Sequence, residues 1–203
     1  IDAIVHLGGQ SVEGSWEQVI QANLIGAINL YEGARQSGCD RVLYATSNHA
    51  IGFYRRTQRI DDHAAPRPDS RYGLSKAFGE DLSCYYALKH GIRGFCMRIG
   101  ACYSEPINAR MLSIWQSYDD FARLVTVGLE ADYHYEIVYG VSRNTRSWWD
   151  NSNAYRLGYD PRDNAEAFAR AVEGNVQTNP LDETLQGGPF VSPDYTGDPD
   201  WID

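Results

Sequence analysis

A chain of 203 residues, 43% hydrophobic and 22% charged, is long enough to bury one substantial core, as a single domain with at most a small appended lobe. A net charge of −9 with no basic tract argues against a nucleic-acid backbone as partner, and no apolar run approaches membrane-spanning length. Cys39, Cys84, Cys96 and Cys102 lack paired metal-ligand spacing and follow no signal peptide, so they read as reduced thiols of a cytoplasmic protein.

In chain order, Ile1 to Leu7 is a short, largely apolar run ending in Gly8-Gly9, the pattern of a buried parallel strand. The chain opens directly on this strand without an initiator Met, which reads as an N-terminally truncated piece of a longer protein. Ser15-Trp16-Glu17-Gln18 has the form of a capping box, in which the Ser15 hydroxyl and the Gln18 side chain satisfy each other's free amides. Trp16, Val19, Ile20, Leu24, Ala27, Ile28 and Tyr31 then recur at helical spacing, and Gly38 ends the helix. Arg41 to Ala45 is the next strand, followed by polar Thr46-Ser47-Asn48-His49. A loop rich in Pro, Asp and Arg leads from Tyr54 to Asp69, and the helix entered from its Arg67-Pro68-Asp69 turn continues to about His90, where Gly91 stops it. Ile92 to Ile99 is a third strand, again ending in glycine, at Gly100. Beyond Cys102 the pattern loosens. Ser117 can cap a helix reaching Leu129, Tyr135 to Tyr139 reads as a strand, and Asp163 to Glu173 as a helix with Ala165, Phe168, Ala169 and Val172 on one face. Trp148-Trp149-Asp150-Asn151 forms a loop whose tryptophans anchor packing, and the tail from Leu181 is irregular.

Strands alternating with helices at these lengths predict a right-handed parallel α/β sheet. Such sheets bind ligands beyond the carboxyl ends of their strands. Three polar clusters stand at those ends: Gly8-Gly9-Gln10-Ser11, Thr46-Ser47-Asn48-His49 and Gly100-Ala101-Cys102. On the helix that follows the second strand, Tyr72 and Lys76 lie one turn apart on one face. A lysine charge at ~4 Å is worth up to ~4 kcal/mol in a partly shielded site, enough to lower a phenol that titrates near ~10 by about three units. That would bring Tyr72 toward the range of a general base.

A serine at a strand end followed some two dozen residues later by Tyr-x-x-x-Lys resembles the short-chain dehydrogenase/reductase superfamily. Gln21-Ala22-Asn23-Leu24-Ile25-Gly26 is similar to a helix motif of its extended branch. A narrower resemblance, to the bacterial uronate dehydrogenase family, covers nearly the whole chain. Its blocks are Val5-His6-Leu7-Gly8-Gly9-Gln10-Ser11-Val12-Glu13, Ser47-Asn48-His49-Ala50-Ile51-Gly52, Arg98-Ile99-Gly100-Ala101-Cys102, Arg110-Met111-Leu112-Ser113, Trp148-Trp149-Asp150-Asn151-Ser152 and Gln186-Gly187-Gly188-Pro189-Phe190-Val191.

The resemblance implies a Rossmann-like doubly wound parallel sheet, one domain over 1–203, with substrate-binding elements gathered mainly in a small lobe within 101–203. The implied reaction is oxidation of the anomeric hydroxyl of galacturonate or glucuronate to an aldarolactone with NAD, in a cytoplasmic homo-oligomer that needs neither nucleic acid nor membrane. Carried over by position, Ser47, Tyr72 and Lys76 would be catalytic. Ser11, Ser47, Asn48, His49, Arg110 and Phe190 would hold the sugar, with Arg110 gripping its carboxylate. Leu7, Gly8, Gly9, Tyr72, Lys76, Ile99 and Cys102 would line the cofactor.

Two departures stand out. Ala101 replaces a serine of that family, which removes one sugar hydrogen bond, a loss of about 1 kcal/mol. The glycine-rich phosphate loop and acidic ribose-binding residue of such folds would lie upstream of Ile1, so this piece is expected to bind NAD poorly. Apart from the resemblance, His49 and Arg110 read as surface residues, Ser11 as loop chemistry and His6 as a packed strand residue, while His63, His90 and His134 carry no role. Two other functions fit the same frame. A nucleotide-sugar epimerase or dehydratase would place Asn where Ala101 stands, and dehydratases put an acidic residue just after the strand-end Ser or Thr, where Asn48-His49 stand here. A non-catalytic NAD-binding regulator would lack the Tyr or Lys of the pair.

Overall fold

The computed structural model describes residues 1–202. Its main sheet holds four parallel strands in the order β1 (Ile4–His6), β2 (Arg41–Ser47), β3 (Arg93–Ile99) and a last strand, Tyr135–Gly140. β2 is buried along its whole length, so both of its faces need a cover. Alternation divides the work. Val42 and Tyr44 of β2 and Cys96 of β3 pack with Tyr31 and Tyr86 on one side, while Leu43, Phe95 and Met97 pack with Leu124 and Val138 on the other.

β1 departs from expectation. It pairs with β2 alone, over three residues, and leaves Val5 38% and Leu7 55% exposed, because an edge strand has a neighbour on one side only. The Ser15–Gln18 capping box is present in both directions and starts helix α1 (Trp16–Val19). This runs through a π segment, Ile20–Ile25, into α2 (Gly26–Ser37), which ends on left-handed Gly38 at φ 74°. The π segment breaks the apolar stripe read from the sequence. Its wider turn shifts the phase, so Trp16 and Ile20 are exposed while Asn23 is buried.

Helix α3 (Arg71–His90) begins at the Ser70 cap, directly after the turn ending at Asp69, and ends on Gly91 at φ 71°. Gly79 lets it settle on β2: a Cβ there would stand 2.6 Å from the Tyr44 ring. One turn from Lys76, Glu80 receives a forked pair of bonds from Arg98 of β3, at 2.9 and 2.8 Å, with both side chains sealed from solvent.

After β3 the chain forms a second, two-stranded parallel pair, β4 (Ala101–Cys102) with β5 (Trp115–Gln116), around helix α4 (Met111–Ile114). Ser117 then caps α5 (Tyr118–Glu130), as its sequence indicates, and the last strand of the main sheet, β6 (Tyr135–Gly140), follows. A third core gathers Ile51, Leu112, Ile114, Trp115, Tyr139 and Trp149. Trp149 is the anchor expected of it, stacked on Tyr139 at 4.8 Å and donating to Gln186 Oε1 at 2.8 Å. Asn151 ties that loop to β6 by accepting from Tyr139 N and donating to its carbonyl. Helix α6 (Ser152–Arg156) comes next, and the single helix expected over Asp163 to Glu173 is a 3-10 turn, Ala165–Phe168, joined to α7 (Ala169–Val172). The tail is less irregular than expected, since Asn179 caps a short α8 (Pro180–Thr184). Among the described residues no helix is long and apolar enough to cross a membrane.

The Glu80–Arg98 pair fastens α3 to the sheet. Glu80→Ala would strand a buried guanidinium and is expected to cost about 3–5 kcal/mol in urea unfolding; a cost below about 1 kcal/mol would remove the pair from this role.

Candidate active site

β2 ends at Ser47, whose hydroxyl accepts from His49 N at 3.2 Å and so caps a 3-10 turn, Asn48–Ile51. The first turn of α3 lies directly against this turn. Gly73 makes that possible, since a Cβ on it would meet the His49 carbonyl oxygen at 2.2 Å. Ser47, Asn48, His49, Tyr72 and Lys76 are therefore brought together and buried.

Lys76 donates to the Ala45 carbonyl at 2.9 Å, and its Nζ lies 5.6 Å from the Tyr72 ring centre. It makes no ion pair among the described residues. Burial pulls its ammonium down to about 8. The expected lowering of the Tyr72 phenol is not seen. Burial raises it above its ordinary value, the neighbouring Ser47 hydroxyl works against that rise, and the Asp69 charge adds to it. At 5.6 Å from the ring and turned to a carbonyl, the lysine charge does not outweigh desolvation.

Arg110 stands at the start of α4 and donates through Nε and Nη2 to the Gln186 carbonyl, at 2.9 and 2.6 Å. The Asn48 amide, oriented with its oxygen toward Arg110, accepts from Nη2 at 2.7 Å and donates to the Ile99 carbonyl at 3.2 Å. Gly188, at φ 61°, leaves the space: a Cβ would sit 2.6 Å from Arg110 Nε. All of these partners are neutral. Burial and nearby Arg56 bring the guanidinium down to about 10, so it is still charged at neutral pH. Phe190 follows on the same tail segment and stacks on His49 with ring centres 3.8 Å apart.

The remaining predicted residues are peripheral. Leu7 and Ser11 are exposed, and Gly8 and Gly9 carry the loop between them, Gly9 at φ 128°. That loop is tied down by Asn23, which accepts from Gln10 N at 2.8 Å and donates to Gln10 O and to Ser75 Oγ. Glu13 completes the tie, accepting from Tyr72 N at 3.0 Å and from Arg71. Cys102 is half-buried in β4, its thiol pushed up by burial, and makes no hydrogen bond to the cluster. His6 packs on Tyr44 at 5.2 Å, as a strand residue should.

Sequence reasoning missed Glu13, Asp69, Gln186 and the work done by Asn23. Asp69 accepts from His49 Nδ1 at 2.7 Å. An acidic residue just before a helix cap was the available signal for Asp69. Gln186 holds Arg110 with its backbone carbonyl, for which no sequence signal exists.

The chain matches the model of the NAD dependent epimerase/dehydratase family over residues 1–174. It is 45% identical to a uronate dehydrogenase of Pseudomonas syringae pv. tomato, covering 98% of this chain and 73% of that one. Among solved structures it resembles a glucuronic acid dehydrogenase from Chromohalobacter salexigens (TM-score 0.91, 46% identity, 98% of this chain and 75% of the other). It also resembles a mutant uronate dehydrogenase from Agrobacterium tumefaciens complexed with NAD (TM-score 0.90, 46% identity, 95% and 74%).

The buried Lys76 has a direct consequence for stability. Its folded value of about 8 against 10.5 corresponds to a penalty of about 3 kcal/mol on the charged form. Between those values the unfolded chain binds more protons, so this group's contribution to stability rises with pH across the window and the full penalty applies below it. Lys76→Met is expected to be more stable than the parent by about 2 kcal/mol at pH 7, the lost carbonyl bond taking back about 1. Urea titrations should show the gap closing toward pH 10.5; a variant less stable at pH 7 than at pH 10 relative to the parent would contradict the assignment.

Proposed function

The chain belongs to the NAD dependent epimerase/dehydratase family and, within it, to the uronate dehydrogenases, and we propose that it oxidises the anomeric hydroxyl of galacturonate or glucuronate to the aldarolactone with NAD. The observation that carries the substrate class is Arg110. A charged, forked donor held only by neutral acceptors beside the catalytic cluster is a seat for a carboxylate, which a uronate has and a neutral sugar lacks.

The cofactor's fit is supported by Lys76, whose buried ammonium uses one of three protons on Ala45 and keeps two for the hydroxyls of a ribose. Leu7, Gly8 and Gly9 at the end of β1, with Ile99 and Cys102 around the end of β3, would line the rest of the nicotinamide half. When bound, NAD supplies the hydride acceptor and a second positive charge near the phenol. Tyr72 takes the proton from the C1 hydroxyl. Lys76 stabilises the phenolate that this requires, and the Ser47 hydroxyl holds the reacting oxygen. Asn48 and His49 orient the ring hydroxyls, Arg110 fixes the carboxylate, Ser11 reaches the sugar from the loop, and Phe190 excludes water. Ala101 supplies no hydrogen bond where a hydroxyl would add about 1 kcal/mol, so sugar preference is loosened without loss of chemistry. The same reading takes residues 1–203 as one domain whose substrate elements lie mainly in 101–203, and takes the working form as a cytoplasmic homo-oligomer.

Absorbance of NADH at saturating NAD, measured on the full-length protein, is expected to rise with galacturonate or glucuronate and not with nucleotide sugars. Turnover of a nucleotide sugar alone would overturn the assignment. Tyr72→Phe should abolish turnover with the unfolding midpoint unchanged. Arg110→Ala should raise KM for uronates by at least about 30-fold, the worth of a charged hydrogen bond, and erase the preference over the corresponding neutral sugars. A retained preference would take Arg110 out of the carboxylate seat.

A further inference from the structure

His49 reaches the sugar with whichever ring nitrogen its surroundings leave free, and those surroundings are set from behind by Asp69. The Asp69 side chain has no solvent exposure. Three glycines make room for its carboxylate. A Cβ on Gly52 would fall 1.8 Å from Oδ2, one on Gly187 2.0 Å from Oδ2, and one on Gly73 3.1 Å from Oδ1. These glycines come from the turn after β2, from the tail and from α3, so separate parts of the fold converge on one acidic group.

The direction of each bond around it is fixed. Gly73 N donates to Ser70 Oγ at 2.9 Å, so Ser70 directs its own proton to Asp69 Oδ1 at 2.7 Å. A carboxylate only accepts, so Oδ2, 2.7 Å from His49 Nδ1, requires the imidazole proton on Nδ1. In the neutral ring Nε2 is then a lone pair, and it has no hydrogen-bond partner among the described residues. The ring that carries it is stacked on Phe190 and meets Tyr72 edge-on at 5.7 Å.

We propose that Asp69 is a positioning residue that locks His49 in the Nδ1–H tautomer, so that Nε2 accepts from a sugar hydroxyl beside Tyr72. The substrate part of this rests on the uronate reading above; the tautomer does not.

Asp69→Asn separates position from charge. Because Ser70 still donates to Oδ1, the amide has to turn its oxygen to Ser70 and its NH2 to His49 Nδ1, which moves the ring proton to Nε2. Two-bond 1H–15N spectra at pH 8 should show His49 protonated on Nδ1 in the parent chain and on Nε2 in the variant. Catalytic efficiency with galacturonate should fall roughly 10- to 100-fold while the unfolding midpoint stays within a few degrees. Adding Ser70→Ala releases the amide to turn back and should restore the Nδ1 proton and much of the lost efficiency. A parent chain with the proton on Nε2 overturns the proposal even if the variant does not fold. So does Asp69→Asn with a switched tautomer and undiminished efficiency. A full-length protein inactive on both uronates defeats the functional reading, while the two spectra still decide the tautomer.

Discussion

The site depends on how closely the first turn of α3 approaches the turn that follows β2. Both are backbone at that point. Gly73 meets the His49 carbonyl where no side chain would fit, and Gly79, two turns further along α3, lets the same helix sink onto Tyr44. With the helix seated there, Tyr72 and Lys76 face the end of β2, and the Glu80–Arg98 pair holds the face against the sheet. A wider spacing would leave each residue present and the constellation lost, because proton transfer works only at hydrogen-bond reach.

That seating also sets the electrostatics. Lys76 and Arg110 are both cations whose hydrogen-bond partners are neutral carbonyls and an amide, and burial lowers both. The Asp69 charge raises Tyr72 and, together with Asp182 and Glu183, raises Arg110 against the effect of burial. Such an arrangement is poor for stability, since buried charge costs several kcal/mol per ion unless matched. On the proposed reading it makes sense as a binding site completed by ligand groups: hydroxyls for Lys76 and an anion for Arg110.

The sequence made most of this plain where a local pattern sufficed. The Ser15–Gln18 box, the Gly38 and Gly91 stops, the Ser117 cap and the spacing of Tyr72 from Lys76 are all short-range features, and each is found as read. The failures are of another kind. The π segment in the first helix turned Asn23 inward against the apolar periodicity, an edge position left β1 half-exposed, and the phenol shift came out in the opposite direction because burial is a property of the fold. Asp69, Glu13 and Gln186 act on residues far along the chain or through their backbone, and no spacing rule reaches them.

The raised phenol and the lowered ammonium together say how such a site avoids idle chemistry. Burial pushes Tyr72 up and Lys76 down to about 8, both away from the direction a base role for the phenol would need. Further positive charge and hydrogen bonds from bound ligands must offset the desolvation before the phenol can give up its proton. Discrimination follows from the same deficit. On the proposed reading, a neutral sugar gives the Arg110 guanidinium no hydrogen-bonded anion, whereas a uronate supplies one, and rejecting a ligand that leaves a buried polar group unmatched is more effective than rejecting one on size. The charge that weakens the fold is, on that proposed reading, the charge that selects the substrate.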